Sequence, residues 1–325
     1  VASEPDQEAA RIMNRDDVTA WLRQLPPDEA ARWLAEVLPE FSDDRYFELW
    51  EAHGLHLTRC SYLSPIPVVS ALAEAIWEKP SELPGIELHE DRQLRFLTGE
   101  FPHYRSEIEP FRVGPSSSPE DFDLDNPYFA GTDALVLYCM VRLLRPAQIL
   151  EVGSGYSTEV SATAVLRNGS GRLQCVEPFP SQRLLEGFPG LDRLHVSKVE
   201  DIGLEPFQAL GAGDILFIDS SHVCRIGGDV NFLFLEVLPR LRPGVVVHVH
   251  DIYLPFEYRR EWITQSHLFW TEQYLLQSFL SFNSAFEILF ANTYMAHRHG
   301  SLMAEVFRSS PWVGGGSFWL RRTVG

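Results

Sequence analysis

Two short stretches hold side chains able to do chemistry together. They read Phe217-Ile218-Asp219-Ser220-Ser221-His222 and Val247-His248-Val249-His250-Asp251. Each is a mostly apolar run that ends in Asp and His, the pattern of a buried strand delivering polar groups at its carboxyl end. Neighbouring strands lie about 5 Å apart. If these two are neighbours, Asp219, His222, His250 and Asp251 meet in one small volume. Alternation puts His248 on the face of His250 but one step deeper. Such a cluster can ligate a divalent metal, which orients a substrate hydroxyl and lowers its pKa. Imidazole ligands would favour Zn, Fe, Mn or Ni over Mg. The same residues can act without a metal, with His222 or His250 as general base and a neighbouring Asp, such as Asp219, fixing its tautomer. They can also form a hydrogen-bonded cluster that only ties strand ends together. Ser220 and Ser221 make no hydrolase elbow, because no Gly-x-Ser-x-Gly surrounds them.

A third stretch suits ligand binding. Residues 147–158 read Ala-Gln-Ile-Leu-Glu-Val-Gly-Ser-Gly-Tyr-Ser-Thr. This is a strand ending near Glu151, a glycine turn and the start of a helix running to Leu166. Gly153 lets the chain turn sharply, and Gly155 lets a ligand approach the backbone. Ser157 and Thr158 are candidate N-caps, and the free amides there suit a polar or anionic ligand. Thr158 stands where the dinucleotide fingerprint needs its third glycine, which counts against an NAD-dependent oxidoreductase.

The elements that must position these groups alternate strand and helix from residue 147 onward. Strands are expected at 147–152, 172–177, 193–197, 214–218 and 245–250, with helices between them, the clearest over Val230 to Leu241. A loop at 251–266, a helix at 267–282 and strands at 286–291 and 317–322 follow. The segment 292–313 is longer than a turn and is expected to cover the site. The alternation predicts an α/β chain with a Rossmann-like, seven-stranded, mostly parallel sheet. Ligands in such sheets sit outside the carboxyl ends of the strands. That adds Glu177 after strand two, and Glu200 or Asp201 after strand three. The aromatics Phe256, Tyr258, Trp262, Phe269, Trp270 and Tyr274 are expected to wall an acceptor pocket.

Over roughly residues 126–260 the chain resembles the class I S-adenosylmethionine (SAM)-dependent methyltransferases. The resemblance is carried by Glu-x-Gly-x-Gly at 151–155, Val176-Glu177, Asp-Ile-Leu-Phe-Ile-Asp at 214–219, and Pro-Gly-Val-Val-Val ahead of His250-Asp251. It implies SAM bound by Glu151, Gly153, Gly155 and Ser157, with Glu177 on the ribose and Glu200 or Asp201 on the adenine. Tyr128 and Asp133, leading into a helix at 134–144, would face the cofactor. The implied activity is methyl transfer to an oxygen or nitrogen of a small molecule. Enzymes similar to catechol O-methyltransferase place metal carboxylates at the ends of the same two strands, although His250-Asp251 stands here where Asp-Asn or Asp-Asp is usual. Because fold alone does not fix chemistry, a SAM- or metal-binding protein without methyl transfer is the alternative.

Residues 1–125 are expected to form a helical N-terminal extension or cap, with two helices split by Pro26-Pro27, and 126–325 the SAM-binding domain. The Ser/Pro/Asp-rich stretch from Gly114 to Asp125 is the expected linker. Tyr62 with Ser64-Pro65-Ile66-Pro67, and Glu82 to Ile86, resemble the N-terminal extension of a set of bacterial methyltransferases. The 325 residues carry a formal charge of −18, which repels phosphate backbones and excludes nucleic acid as an expected partner. No apolar run reaches membrane-spanning length, and the acidic first twenty residues do not read as a secretory signal. The four cysteines show no Cys-x-x-Cys spacing and read as small core thiols of a cytoplasmic protein. The apolar faces of the N-terminal helices make a homodimer plausible.

Overall fold

The computed structural model describes residues 15–111, 114 and 122–323. The chain divides into two compact units after Leu72. The expected extension at 1–125 is thus split, and residues from Ala73 onward share a unit with the sheet.

In the first unit the helices Arg15–Gln24 and Pro27–Val37 are separated at Leu25-Pro26. Proline suits the first helical position, where its missing N–H has no partner to lose, and Asp28 and Glu29 complement the helix start. Trp21 and Trp33 meet edge to face at 5.2 Å.

The second unit is built on a seven-stranded sheet: β1 (Gln148–Val152), β2 (Arg172–Val176), β3 (Arg193–His195), β4 (Ile215–Ile218), β5 (Val246–Val249), β6 (Phe286–Ala291) and β7 (Phe318–Arg322). The order is β3-β2-β1-β4-β5-β7-β6. The first five strands run parallel, and β7 pairs antiparallel with both β5 and β6. Strand order reverses between β1 and β4, and this switch point opens a crevice beyond their carboxyl ends. Every residue of β4 and β5 is buried. Strands buried on both faces read as near-continuous apolar runs, here interrupted by His248 in β5. The helix Gly131–Leu144 is buried from Gly131 to Val141, as its nearly uniform apolar surface requires.

Several elements differ from expectation. The helix expected over Val230 to Leu241 is an α-helical turn at Asp229–Asn231, a π-helical stretch at Phe232–Val237 and a 3₁₀ turn at Leu238–Arg240. Pro239 lacks the N–H that a continuing α-helix would use. The helix expected from residue 267 begins only at Glu272, because the main chain at Thr271 and Glu272 bonds to the His222 carbonyl. Residues 292–313 are not an open connection: Asn292–Val306 is helical, kinked at His299 beside Gly300. The expected linker lies largely outside the described residues; of it, Gly114 donates its N–H to the Asp123 carboxylate at 3.0 Å. Cys139 and Cys175 are core residues, but Cys60 is exposed and Cys224 half-buried, against the expectation of four core thiols. Among the described residues, no helix is long and apolar enough to cross a membrane.

Candidate active site

Two glycines shape the turn after β1, for different reasons. Gly153 adopts φ +78°, and a Cβ there would lie 1.8 Å from the Asp219 carbonyl oxygen. The end of β1 therefore sits directly against the end of β4, and only glycine fits. Gly155 has an extended backbone at φ 173°, and nothing lies within 4 Å of its would-be Cβ. Its bare backbone faces open space.

Glu151 is fully buried beneath this turn rather than lining the crevice. Its carboxylate accepts hydrogen bonds from Ser157 Oγ at 2.5 Å and Thr158 Oγ1 at 3.1 Å. Thr158 Oγ1 also accepts the Gly155 N–H at 3.0 Å. Ser157 and Thr158 are thus first-turn residues reaching back to Glu151, and Gly155 holds the N-cap position. The glutamate expected to bind the cofactor braces the turn instead. Burial pushes its pKa up to about 8 against the hydrogen bonds from Ser157 and Thr158, with the Asp219 charge adding to the rise. The folded protein therefore keeps this proton to about pH 8, whereas the unfolded chain loses it near 4.5. Stability from this group is full below pH 4.5 and is lost as pH rises through 8. Glu151→Gln is expected to remove that dependence. Urea unfolding at pH 5 and pH 9 should show wild type losing roughly 2–5 kcal/mol more than the variant between the two.

A cleft of about 1020 Å³ lies at the switch point, lined by Gly153, Gly155, Ser157, Glu177, Phe179 and Asp219 among others. A branch of about 260 Å³ shares Gly153, Glu177, Phe179 and Asp219 and continues to Glu200, Ser221 and Asp229. Glu177 is fixed at the end of β2 by accepting the N–H groups of Ser154 (3.2 Å) and Phe179 (2.8 Å). Of the two acids after β3, Glu200 lines the branch, whereas Asp201 is exposed and does not. Tyr128 lines the larger cleft and stacks on Tyr156 at 6.1 Å. Asp133 is buried behind it and accepts from Asn292 Nδ2 (2.7 Å) and from the N–H groups of Gly316 and Ser317 (both 2.9 Å).

At the cleft edge, Asp219, His222 and Asp251 each offer one ligand atom within 4.8 Å of the others. His222 Nε2 is 3.4 Å from both Asp219 Oδ1 and Asp251 Oδ2. His222 (φ +59°) and Asp251 (φ +56°) both have left-handed backbones. Such residues cost about 1–3 kcal/mol each and persist where the surroundings over-determine them. Gly316 packs on the Asp251 main chain so closely that a Cβ would approach its Cα to 2.6 Å.

His250 is adjacent to this trio without belonging to it. Its Nδ1 is 3.3 Å from Asp219 Oδ1, and its Nε2 is 3.4 Å from Asp133 Oδ2. Its Nδ1 is also 3.7 Å from Asp251 Oδ2, so three carboxylates surround it, and it does not line the cleft. His248 lies deeper, as expected, stacked on Trp319 at 4.3 Å and meeting Phe217 edge to face. Burial holds His248 well below the usual histidine range, so it is neutral. His222 and His250 behave oppositely. Burial disfavours their charge, but Asp219 and Glu272 raise His222 to about 10, and Asp251, Asp219 and Asp133 hold His250 well above its ordinary value. Asp219 is half-buried at the cleft, and although desolvation works against its charge, the two imidazoles keep it well below the carboxylate range.

Three contributors were not anticipated. Glu272 Oε2 lies 2.8 Å from His222 Nδ1, Tyr253 OH donates to Asp251 Oδ1 at 3.1 Å, and Asp229 accepts from Ser221 N (2.8 Å) and Oγ (2.6 Å). A lone acid between Trp270-Thr271 and an apolar helix was the available signal for Glu272. The expected aromatic wall is a packed cluster. Trp270 covers His222 at 4.5 Å and meets Trp262 at 4.9 Å, and Tyr258 joins Trp270 at 5.9 Å. Phe256 instead meets the His297 ring at 5.0 Å. Arg259 lies over the Tyr253 and Trp262 rings, and Arg260 pairs with Glu74 at 2.8 Å.

Residues 150–252 match a family model described as a methyltransferase domain. No curated protein gives a significant sequence match. Solved structures similar to this chain include the O-methyltransferase TomG of Streptomyces achromogenes, involved in tomaymycin synthesis and determined with SAM (19% identity, 72% of this chain and 99% of that one, TM-score 0.40). Others are an O-methyltransferase from Bacillus cereus in complex with SAH (14% identity, 73% and 98%, TM-score 0.33) and a methyltransferase structure from Thermobifida fusca (16% identity, 82% and 100%, TM-score 0.37).

Proposed function

We propose that this chain, a class I SAM-dependent methyltransferase, methylates a hydroxyl oxygen of a small molecule with the help of a divalent cation held by Asp219, His222 and Asp251. The carrying observation is the convergence of those three ligand atoms within 4.8 Å at the edge of the switch-point cleft, with Asp219 lining both cleft and branch. Four carboxylates (Asp133, Asp219, Asp251, Glu272) surround two imidazoles there, and one imidazole with carboxylates suits a borderline transition cation. The free-base alternative is less well supported: His222 Nε2 faces Asp219 Oδ1 and Asp251 Oδ2, both at 3.4 Å, an arrangement that suits a cation shared by the three better than a lone acceptor hydroxyl.

When bound, the cation would lower the pKa of the acceptor hydroxyl, and the SAM sulfonium supplies the methyl electrophile. The chain's own residues supply alignment. Glu177 and Glu200 present carboxylates to the nucleoside end of the cleft. Gly155 lets the ligand lie against the backbone, and Phe179 and Tyr128 line the same cleft. Alignment at near-attack distance is the main catalytic contribution in such a displacement. The acceptor is a small molecule rather than a polyanion, consistent with the formal charge of −18. The antiparallel β7 inserted between β5 and β6 differs from the dinucleotide-binding strand order and argues against an NAD-dependent oxidoreductase.

The test is transfer of labelled methyl from SAM to a panel of vicinal diols and catechols, with and without chelator, alongside elemental analysis. Chelator-sensitive transfer with one equivalent of metal is expected; transfer at full rate by metal-free protein would sink the cation's role. Gly155→Ala separates binding from folding. Its added methyl meets nothing in the protein, so stability should stay within about 0.5 kcal/mol, while calorimetry should read SAM affinity falling roughly tenfold or more.

A further inference from the structure

We propose that Glu272 is the positioning residue of the cation site: it holds the His222 imidazole with Nδ1 protonated and Nε2 facing Asp219 and Asp251. This rests on the reading of Asp219, His222 and Asp251 as cation ligands.

Three consecutive residues are committed to this one histidine. Trp270 lays its ring over the imidazole at 4.5 Å. The main-chain N–H groups of Thr271 and Glu272 both donate to the His222 carbonyl, at 2.8 and 3.1 Å. Glu272 adds its carboxylate at 2.8 Å from Nδ1. Thr271 Oγ1 also accepts the Cys224 N–H at 2.8 Å, fixing the backbone two residues beyond. The imidazole is therefore held from its Nδ1 side, on a left-handed backbone, with its other nitrogen aimed at the two aspartates.

The chemical identity of residue 272 carries the argument. Glu272 is fully buried, and its Oε1 has no hydrogen-bond partner. Burying a carboxylate costs several kcal/mol unless its charge is used. If residue 272 only pinned the helix to the loop, glutamine would fill the space and make the contact without that cost. A carboxylate differs from an amide in one relevant respect: when ionised it only accepts. It therefore selects the imidazole form that donates from Nδ1, leaving Nε2 to present its lone pair to a cation. An amide donates as readily as it accepts. It permits the opposite tautomer, in which an Nε2–H points at Asp219 and Asp251 and blocks the site. Carboxylates behind ligating histidines act in this way generally, and their loss costs about 10–100-fold in metal affinity.

The experiment uses the full chain with S-adenosylhomocysteine present and titrates Mn²⁺ by calorimetry into wild type and Glu272→Gln. The variant is expected to bind Mn²⁺ about 10–100-fold more weakly, with S-adenosylhomocysteine affinity unchanged within about twofold. An independent readout, needed if the variant folds poorly, is the ¹⁵N imidazole spectrum of Zn²⁺-loaded wild type, with His222 assigned by comparison with His222→Asn. It should show His222 protonated at Nδ1 and bare at Nε2. Equal Mn²⁺ affinities, or a spectrum with Nδ1 bare, overturn the role of Glu272 and leave the cation site standing. Wild type that binds neither Mn²⁺ nor Zn²⁺ overturns both.

Discussion

Asp219→Asn is expected to lower kcat/KM for methyl transfer by roughly 10²–10³-fold, about 3–4 kcal/mol of transition-state stabilisation. Asp219 is the residue that cleft, branch and ligand trio have in common. Its Oδ1 lies 3.4 Å from His222 Nε2 and 3.3 Å from His250 Nδ1. The asparagine keeps the volume and removes the charge. The cation site then loses an anionic ligand, and two buried imidazoles lose a shared counter-charge. The effect exceeds that foreseen for Glu272→Gln because Asp219 would contact the cation directly, whereas Glu272 acts through His222. Initial rates with labelled SAM, together with metal content, check it. A loss below tenfold with metal content intact would remove Asp219 from the reacting site.

Gly153→Ala is the substitution expected to damage the fold most. The new Cβ would be 1.8 Å from the Asp219 carbonyl oxygen, a contact with backbone that no side-chain rotation relieves. The residue also sits at φ +78°, where an L side chain is strained. The left-handed conformation and the overpacking together cost about 3 kcal/mol or more. To accommodate the methyl, the end of β4 must move away from β1, carrying Asp219 with it. Urea unfolding should register the stability loss, and calorimetry should read little or no SAM binding in whatever folds. A variant with wild-type stability would mean that the β1–β4 approach yields to a methyl group. Gly155→Ala is the matched control, two residues away with nothing near its Cβ.

The strands illustrate what a sequence states directly. Mostly apolar runs at 148–152, 215–218 and 246–249 are buried throughout apart from the half-buried Gln148, so their composition marks them, and each was placed to within a residue or two. The alternation of strand and helix likewise determined the parallel sheet, because parallel neighbours need crossover connections. The meeting of Asp219, His222 and Asp251 was also legible, since it follows once two polar strand ends are adjacent. The helix at Asn292–Val306 was not legible: its polar and apolar residues show no clear stripe, and its stability comes from packing.

Which polar residues face the cleft and which brace it was decided only by tertiary structure. Glu151, Ser157 and Glu177 look alike in sequence as polar groups at or just beyond strand ends. Yet Glu151 is sealed under the turn by two hydroxyls, while Glu177, one strand over, is left in the cleft. His250 and His222 were equivalent candidates, until Asp133 took the Nε2 side of His250 and Glu272 the Nδ1 side of His222, leaving His222 Nε2 to Asp219 and Asp251. Asp133 and Glu272 lie 117 and 50 residues from the histidines they orient, on other elements. The sequence itself determined the sheet and the strand ends that carry the chemistry, because local composition reports burial. Side-chain direction at those ends depends on partners distant in the chain, and folding alone brings them together.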